Sequence, residues 1–245
     1  DITITNTSDM AVCAYSKGTN IIDGGSDGNV AIKGGNIVVN ASSEGENKIS
    51  GNNINISEGS AVYNTTVNSA NQSDRIVYAD NGATLKLAGG IISGNATYSD
   101  SVGLGGGILV SGGSVTVSGG YITNNKYAKF CGHDGWGNHG GAGLAANNGA
   151  NVTISGGQIT GNYSEEAGGG VYVTNIFQQD SRAWLDIKGG NIASNVSYRS
   201  EGAGIRVGQR VDAMINGPKD SNGTKKSTVY ITNNHCMSRF DWGGG

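Results

Sequence analysis

The residues best suited to chemistry crowd into one short stretch. Lys129 to Gly143, "KFCGHDGWGNHGGAG", holds two of the three His (His133, His139), one of the three Trp (Trp136) and one of the three Cys (Cys131), with Asp134 among them. A second group, "HCMSRFDW" (235–242), supplies His235, Cys236, Asp241 and Trp242. Between them "YSEEA" (163–167) and "VSYRS" (196–200), followed by Glu201, add Tyr163, Glu165, Glu166, Tyr198 and Arg199. Rings offer apolar faces to pyranose CH groups while carboxylates and guanidinium groups bond hydroxyls, so this mixture suits a sugar chain. The candidates for substrate binding are His133, Trp136, His139, Tyr163, Tyr198, Arg199, Asp241 and Trp242. Two carboxyl groups flanking a glycosidic bond can donate and accept the protons of its cleavage, for which Glu165, Glu166, Glu201 and Asp134 are the candidates. The same four residues also read as solvated surface carboxylates.

Metal chemistry is the weaker reading of these ligand types. "CGHDGWGNH" lacks the C-x-x-C or H-x-x-x-H spacing of well-attested zinc sites, and "DGGSDGN" (23–29) departs from the EF-hand pattern. Neither a metal nor any other cofactor is assigned. Cys131 and Cys236 could bridge only if the longer loop folds over the shorter ones, because three coils separate them. A buried thiol is the ordinary alternative.

What positions these residues is a repeat. "LKLAGGIISGN" (85–95), "VTVSGGYITNN" (115–125), "VTISGGQITGN" (152–162) and "LDIKGGNIASN" (185–195) superimpose without a gap, with partial copies in "IKGGNIVVN" (32–40) and "VYITNN" (229–234). Each copy continues through a variable stretch into a second signature: "GGGILV" (105–110), "GGAGLA" (140–145), "GGGVYV" (168–173) and "EGAGIRV" (201–207). Apolar and polar residues alternate in Val115-Thr116-Val117 and its equivalents, the period of a strand with one buried face. Gly-Gly permits positive φ at a tight corner, and the closing Asn is expected to take the left-handed conformation at the next.

The pattern predicts three short strands per unit. Successive units would stack about 4.8 Å apart into three parallel sheets around an apolar core, with the recurrent Asn forming an interior amide ladder. All three His, two of the three Trp and two of the three Cys then fall in one slot, between the closing Asn and the Gly signature. The two long loops of that slot would stand roughly 14 Å apart as walls, with Tyr163, Glu165, Glu166, Tyr198, Arg199 and Glu201 as the floor between them.

The paired signatures, Ile-x-x-Asn followed by Gly-Gly-Ala/Gly-Ile/Val, resemble the repeats of polymorphic outer-membrane proteins and related surface adhesins of bacteria. More broadly the chain is similar to the pectin-lyase-like proteins. The resemblance covers about residues 30 to 245 and implies an all-β fold, a right-handed parallel β-helix built as a three-sheet solenoid. It carries over no catalytic motif residue by residue.

Composition narrows the partners. A net charge of -3 with 14% charged residues gives no basic stripe for nucleic acid. No apolar run approaches the roughly 18 to 20 residues that span a bilayer. Ten Asn-x-Ser/Thr sequons are present, as expected by chance in a chain so rich in these residues. One domain over residues 1–245 is expected, with residues 1–30 an irregular start or cap. At its end, "DWGGG" (241–245), every earlier unit would continue into an apolar strand. The last coil is therefore expected to be open, continued by more polypeptide or completed by a second chain through head-to-tail self-association. The functional expectation is an extracellular or cell-surface protein that engages a polysaccharide or host glycan through these loops, with glycoside cleavage left open. The alternative is a structural building block of a filament, sheath or adhesin stalk.

Overall fold

The computed structural model describes residues 2–4, 10–14, 20–24, 28–33, 35–39, 47–57, 60–64, 77–80, 82–97, 104–128, 139–176, 178, 180–217, 219, 221–224 and 228–237. Among these the fold is all-β, without a helix, and every strand pairing is parallel. The strands join into sheets of 14, 7 and 5 strands, an arrangement compatible with a parallel β-helix.

Each unit uses four segments where the sequence shows three. In one unit they are Ser114–Val117, Tyr121–Thr123, Lys126–Tyr127 and Leu144–Asn147. The first two belong to the same sheet, on either side of the Gly-Gly bend. In the next units they run together as single strands, Asn151–Thr160 and Ala183–Ala193. The pairing continues through the bend because glycine lets the units touch there: a Cβ on Gly156 would lie 2.4 Å from the Ser118 carbonyl oxygen. The third segment, two residues long, builds a sheet of its own from Ala96–Thr97, Lys126–Tyr127, Tyr163–Ser164, Val196–Ser197 and His235–Cys236. Parallel pairing also extends ahead of residue 30, where Ile2–Ile4, Met10–Ala14 and Asn20–Asp23 pair with Asn29–Ile32, Gly35–Val39 and Asn47–Ser50.

Alternation in the first segments turns one file of side chains inward. Leu85, Val115, Val152 and Leu185 stack in register, as do Leu87, Val117, Ile154 and Ile187, all at most 1% exposed. Ile92, Ile122, Ile159 and Ile192 from the second segments and Ile108, Leu144 and Val171 from the fourth meet them in one core. Full burial of each such side chain contributes about 1.5 to 3 kcal/mol.

The closing asparagines form the expected ladder. The side-chain amides of Asn95, Asn125, Asn162 and Asn195 donate in turn to Oδ1 of Asn125, Asn162, Asn195 and Asn234 at 2.8, 3.0, 2.9 and 3.0 Å. Each acceptor also takes the backbone N–H of the preceding ladder residue, at 3.2, 3.0, 3.0 and 3.0 Å. The second amide hydrogen of Asn125, Asn162, Asn195 and Asn234 goes to the carbonyl of Ile92, Ile122, Ile159 and Ile192. Positive φ is not found at the ladder residue, as expected from sequence, but one residue earlier, at Gly94, Asn124, Gly161, Ser194 and Asn233. The ladder side chain must point inward, and the sharp turn that aims it there is made just before it. Three sequon asparagines, Asn95, Asn162 and Asn195, are thus at most 1% exposed and committed to the ladder.

The Gly signature is shaped by the same ladder. The glycine three residues ahead of the fourth segment (Gly105, Gly141, Gly168, Gly202) has φ between 61° and 80°. The glycine immediately ahead of that segment packs on a ladder amide: Cβ atoms on Gly107, Gly143, Gly170 and Gly204 would lie 2.6 to 2.9 Å from Nδ2 of Asn125, Asn162, Asn195 and Asn234. Two motifs that look separate in the sequence are one packing unit.

Candidate functional site

The two-residue third segments each send one side chain out and one in. The inward file is Thr97, Tyr127, Ser164, Ser197 and Cys236, a polar lining beside the amide ladder. Ser164 Oγ accepts the Glu166 N–H at 3.2 Å, and Ser197 Oγ lies 2.7 and 2.6 Å from the carbonyl oxygens of Glu166 and Ser200. These hydroxyls hold the short loops 165–167 and 198–201 in shape. Cys236 keeps a free thiol that donates to the Ser200 carbonyl at 2.8 Å.

The outward file is Lys126, Tyr163, Val196 and His235, while Ala96, in register with Lys126, is buried. Beside it runs a second file, Ala128, Glu165, Tyr198 and Met237, whose N–H groups donate to carbonyls of the preceding unit at 2.8 Å. The Tyr163 and Tyr198 rings lie 6.2 Å apart at 31°, on neighbouring units. Tyr163 Oη donates to Glu165 Oε1 at 3.0 Å, and Arg199 Nε pairs with Glu165 Oε2 at 3.3 Å. Arg199 lies over the Tyr198 ring at 5.0 Å and the Lys126 ammonium over the Tyr163 ring at 5.2 Å. Cations over ring faces in this range are attracted by the ring quadrupole.

The sequence candidates are therefore brought together in part. Tyr163, Glu165, Tyr198 and Arg199 form one network. Glu201 belongs to another: it pairs with Arg206 at 2.6 Å and accepts Ser200 Oγ–H at 2.7 Å, while Arg206 stacks 5.9 Å from the Tyr172 ring. Glu166 is buried, 5% exposed. His139 is partly buried at the head of the Gly signature, its carbonyl accepting the Ala167 N–H at 3.3 Å. His133, Asp134, Trp136, Asp241 and Trp242, with Cys131, lie outside the described residues. Lys126 was missed in the sequence reading, although it follows ladder residue Asn125 as Tyr163 follows Asn162. Among the described residues no group of three or more His, Cys, Asp or Glu is placed to hold a metal ion. No helix among them is long and apolar enough to cross a membrane.

Burial first, then the bond donated to Glu165 and that carboxylate's charge, push the Tyr163 phenol from its usual 10 up to about 12. The unfolded chain releases this proton near pH 10 while the folded chain keeps it to about 12. Stability on this account is complete below pH 10 and falls as the pH rises through that window. The substitution Glu165→Gln should lower the Tyr163 midpoint and leave it above 10, since burial remains. Tyrosinate absorbance titrated against a Tyr163→Phe background reads it, and an unmoved midpoint would refute the Glu165 contribution.

The chain matches no protein-family model, and comparison with curated proteins and with solved structures returns no match.

Proposed function

We propose that the chain is a single-domain, right-handed parallel β-helix of three sheets that works outside the cell or on its surface. In this reading it engages a glycan through the outer face of Lys126–Tyr127, Tyr163–Ser164 and Val196–Ser197. The right hand follows from the strong preference of parallel crossover connections, and the surface location from the resemblance to bacterial adhesin repeats. The observation that carries the glycan reading is the Tyr163–Tyr198 ring pair, framed by Glu165 and Arg199. Two phenol rings on successive units offer an apolar floor for consecutive sugar rings, and the carboxylate and guanidinium supply an acceptor and donors for hydroxyls. If the protein is a hydrolase, cleavage needs two carboxyl groups flanking the bond, one as acid and one as base, and Glu165 with Glu201 is the candidate pair. The test is retention on a panel of immobilised plant and host glycans, scored together with release of new reducing ends. Tyr198→Ala should weaken retention by about tenfold, the loss of one stacking ring. Retention that Tyr198→Ala leaves intact, or none on any glycan, overturns the reading. Reducing ends lost in Glu165→Gln would make it an enzyme.

A second reading, a structural element on which further strands stack, is favoured by a different observation. Ile215 continues the inward file of Ile187 yet is 53% exposed, and Val211, Val229 and Ile231 are only partly buried. Electron microscopy of the purified protein tests it: fibres are expected if copies complete one another's stack, and dispersed particles at high concentration count against it.

A further inference from the structure

The first segments carry an outer file that is small and polar almost throughout. In register it reads Asn29, Asn53, Thr84, Ser114, Asn151, Trp184 and Asp212. Trp184 breaks the pattern. Its strand neighbours Ala183 and Leu185 are buried, whereas its own side chain is 54% exposed, so the core has no use for this indole. A large exposed aromatic in a file of amides and hydroxyls calls for an explanation outside folding.

Two ion pairs frame it. Arg182 Nε and Nη2 donate to Asp212 Oδ2 and Oδ1 at 2.5 and 2.6 Å, and Lys188 Nζ pairs with Asp186 Oδ2 at 2.6 Å. The other oxygen, Asp186 Oδ1, is buried and has no hydrogen-bond partner among the described residues. Met214 sits beside Asp186 in register and is 57% exposed. The long charged side chains are tied to one another along the sheet, and the four charges cancel. What fits is an uncharged ligand with one apolar face and hydroxyls on its edges.

We infer that Trp184 is the platform of a carbohydrate subsite for a neutral pyranose, with Arg182 and Asp212 meeting the ring hydroxyls. The subsite lies on a different sheet from the Tyr163–Tyr198 face and shares no residue with it. Stacking supplies most of the contact, because CH groups of the sugar leave water against the indole face. The balanced frame gives no preference for carboxylated or sulfated rings.

The experiment follows the indole N–H resonance of Trp184, identified by its loss in Trp184→Ala. The folded protein is titrated to millimolar concentrations with maltohexaose, cellohexaose, mannohexaose and chitohexaose, with a galacturonate oligomer as the charged control. At least one neutral oligosaccharide should shift the Trp184 resonance, and the charged oligomer should do so no more strongly. Affinity electrophoresis in the responding glycan should show about tenfold weaker binding for Trp184→Ala and unchanged binding for Tyr121→Ala, an exposed tyrosine that belongs to neither face. The exposed position keeps Trp184→Ala folded, and the wild-type titration does not depend on it. No shift with any neutral oligosaccharide overturns the subsite, as does binding that Trp184→Ala leaves intact. A shift abolished by Tyr198→Ala would assign the ligand to the other face and overturn it equally. Failure of the Tyr198→Ala test above, with the Trp184 response intact, would sink the first site alone.

Discussion

Asn162→Ala should remove about 4 kcal/mol of stability, read as a lower urea midpoint at unchanged slope. Asn162 is fully buried and occupies the middle of the ladder. Its Oδ1 accepts both the side-chain amide and the backbone N–H of Asn125, each at 3.0 Å. Truncation orphans those two donors, each at about 1 to 3 kcal/mol, and withdraws one of the two donors to Asn195 Oδ1. Asn162→Asp should be at least as damaging, because it removes both donated bonds and sets a carboxylate against the Ile122 carbonyl. Asn234→Ala, at a partly buried position, orphans the equivalent groups of Asn195 where water reaches more easily, and should cost less. Equal losses at Asn162 and Asn234 would mean that the ladder is not the source of the effect.

Gly143→Ala should cost about 2 to 4 kcal/mol, although it adds a single methyl group. That carbon would stand 2.6 Å from the Gly170 carbonyl oxygen and 2.9 Å from Asn162 Nδ2. Neither can give way, since one is backbone in a parallel pairing and the other is held by two hydrogen bonds. The control is Gly223→Ala, which meets nothing within 4 Å and is penalised only for its φ of 80°. It should cost about 1 kcal/mol. Thermal melts of the two variants decide the matter: if they coincide, the glycine signature serves backbone conformation and not the ladder.

Much of this architecture is legible in the sequence because the units repeat. The alternation of Val115-Thr116-Val117 gives the inward file, and the spaced asparagines give the ladder. The third segment is not legible, because two residues such as Lys126–Tyr127 are too short to show any period. Nor does the sequence tell that Gly143 and Asn162, in different motifs and adjacent units, share one contact. For the site, counting from the ladder places Tyr163 and Val196 in one outward file, and the same count would have placed Lys126 there. What no count reveals is which loop carboxylate is buried: Glu165 bonds Tyr163 and Arg199, while adjacent Glu166 is closed off from solvent. Trp184 stands immediately before a copy of the repeat (185–195) and outside the variable slot, so neither pattern marks it.

The amide ladder also has a polarity. Every hydrogen bond between ladder side chains runs from the amide N–H of one unit to the Oδ1 of the next along the chain, from Asn95 to Asn234. Aligned amide dipoles reinforce one another, so the column behaves as one extended dipole with an acceptor at its head, where Asn95 Oδ1 lacks a partner among the described residues. Any amide that lengthens the column before Asn95 must present a donor, and any that lengthens it beyond Asn234 must present an acceptor. Two such columns can join only nose to tail, since a mirror-fashion join would set acceptor against acceptor or donor against donor.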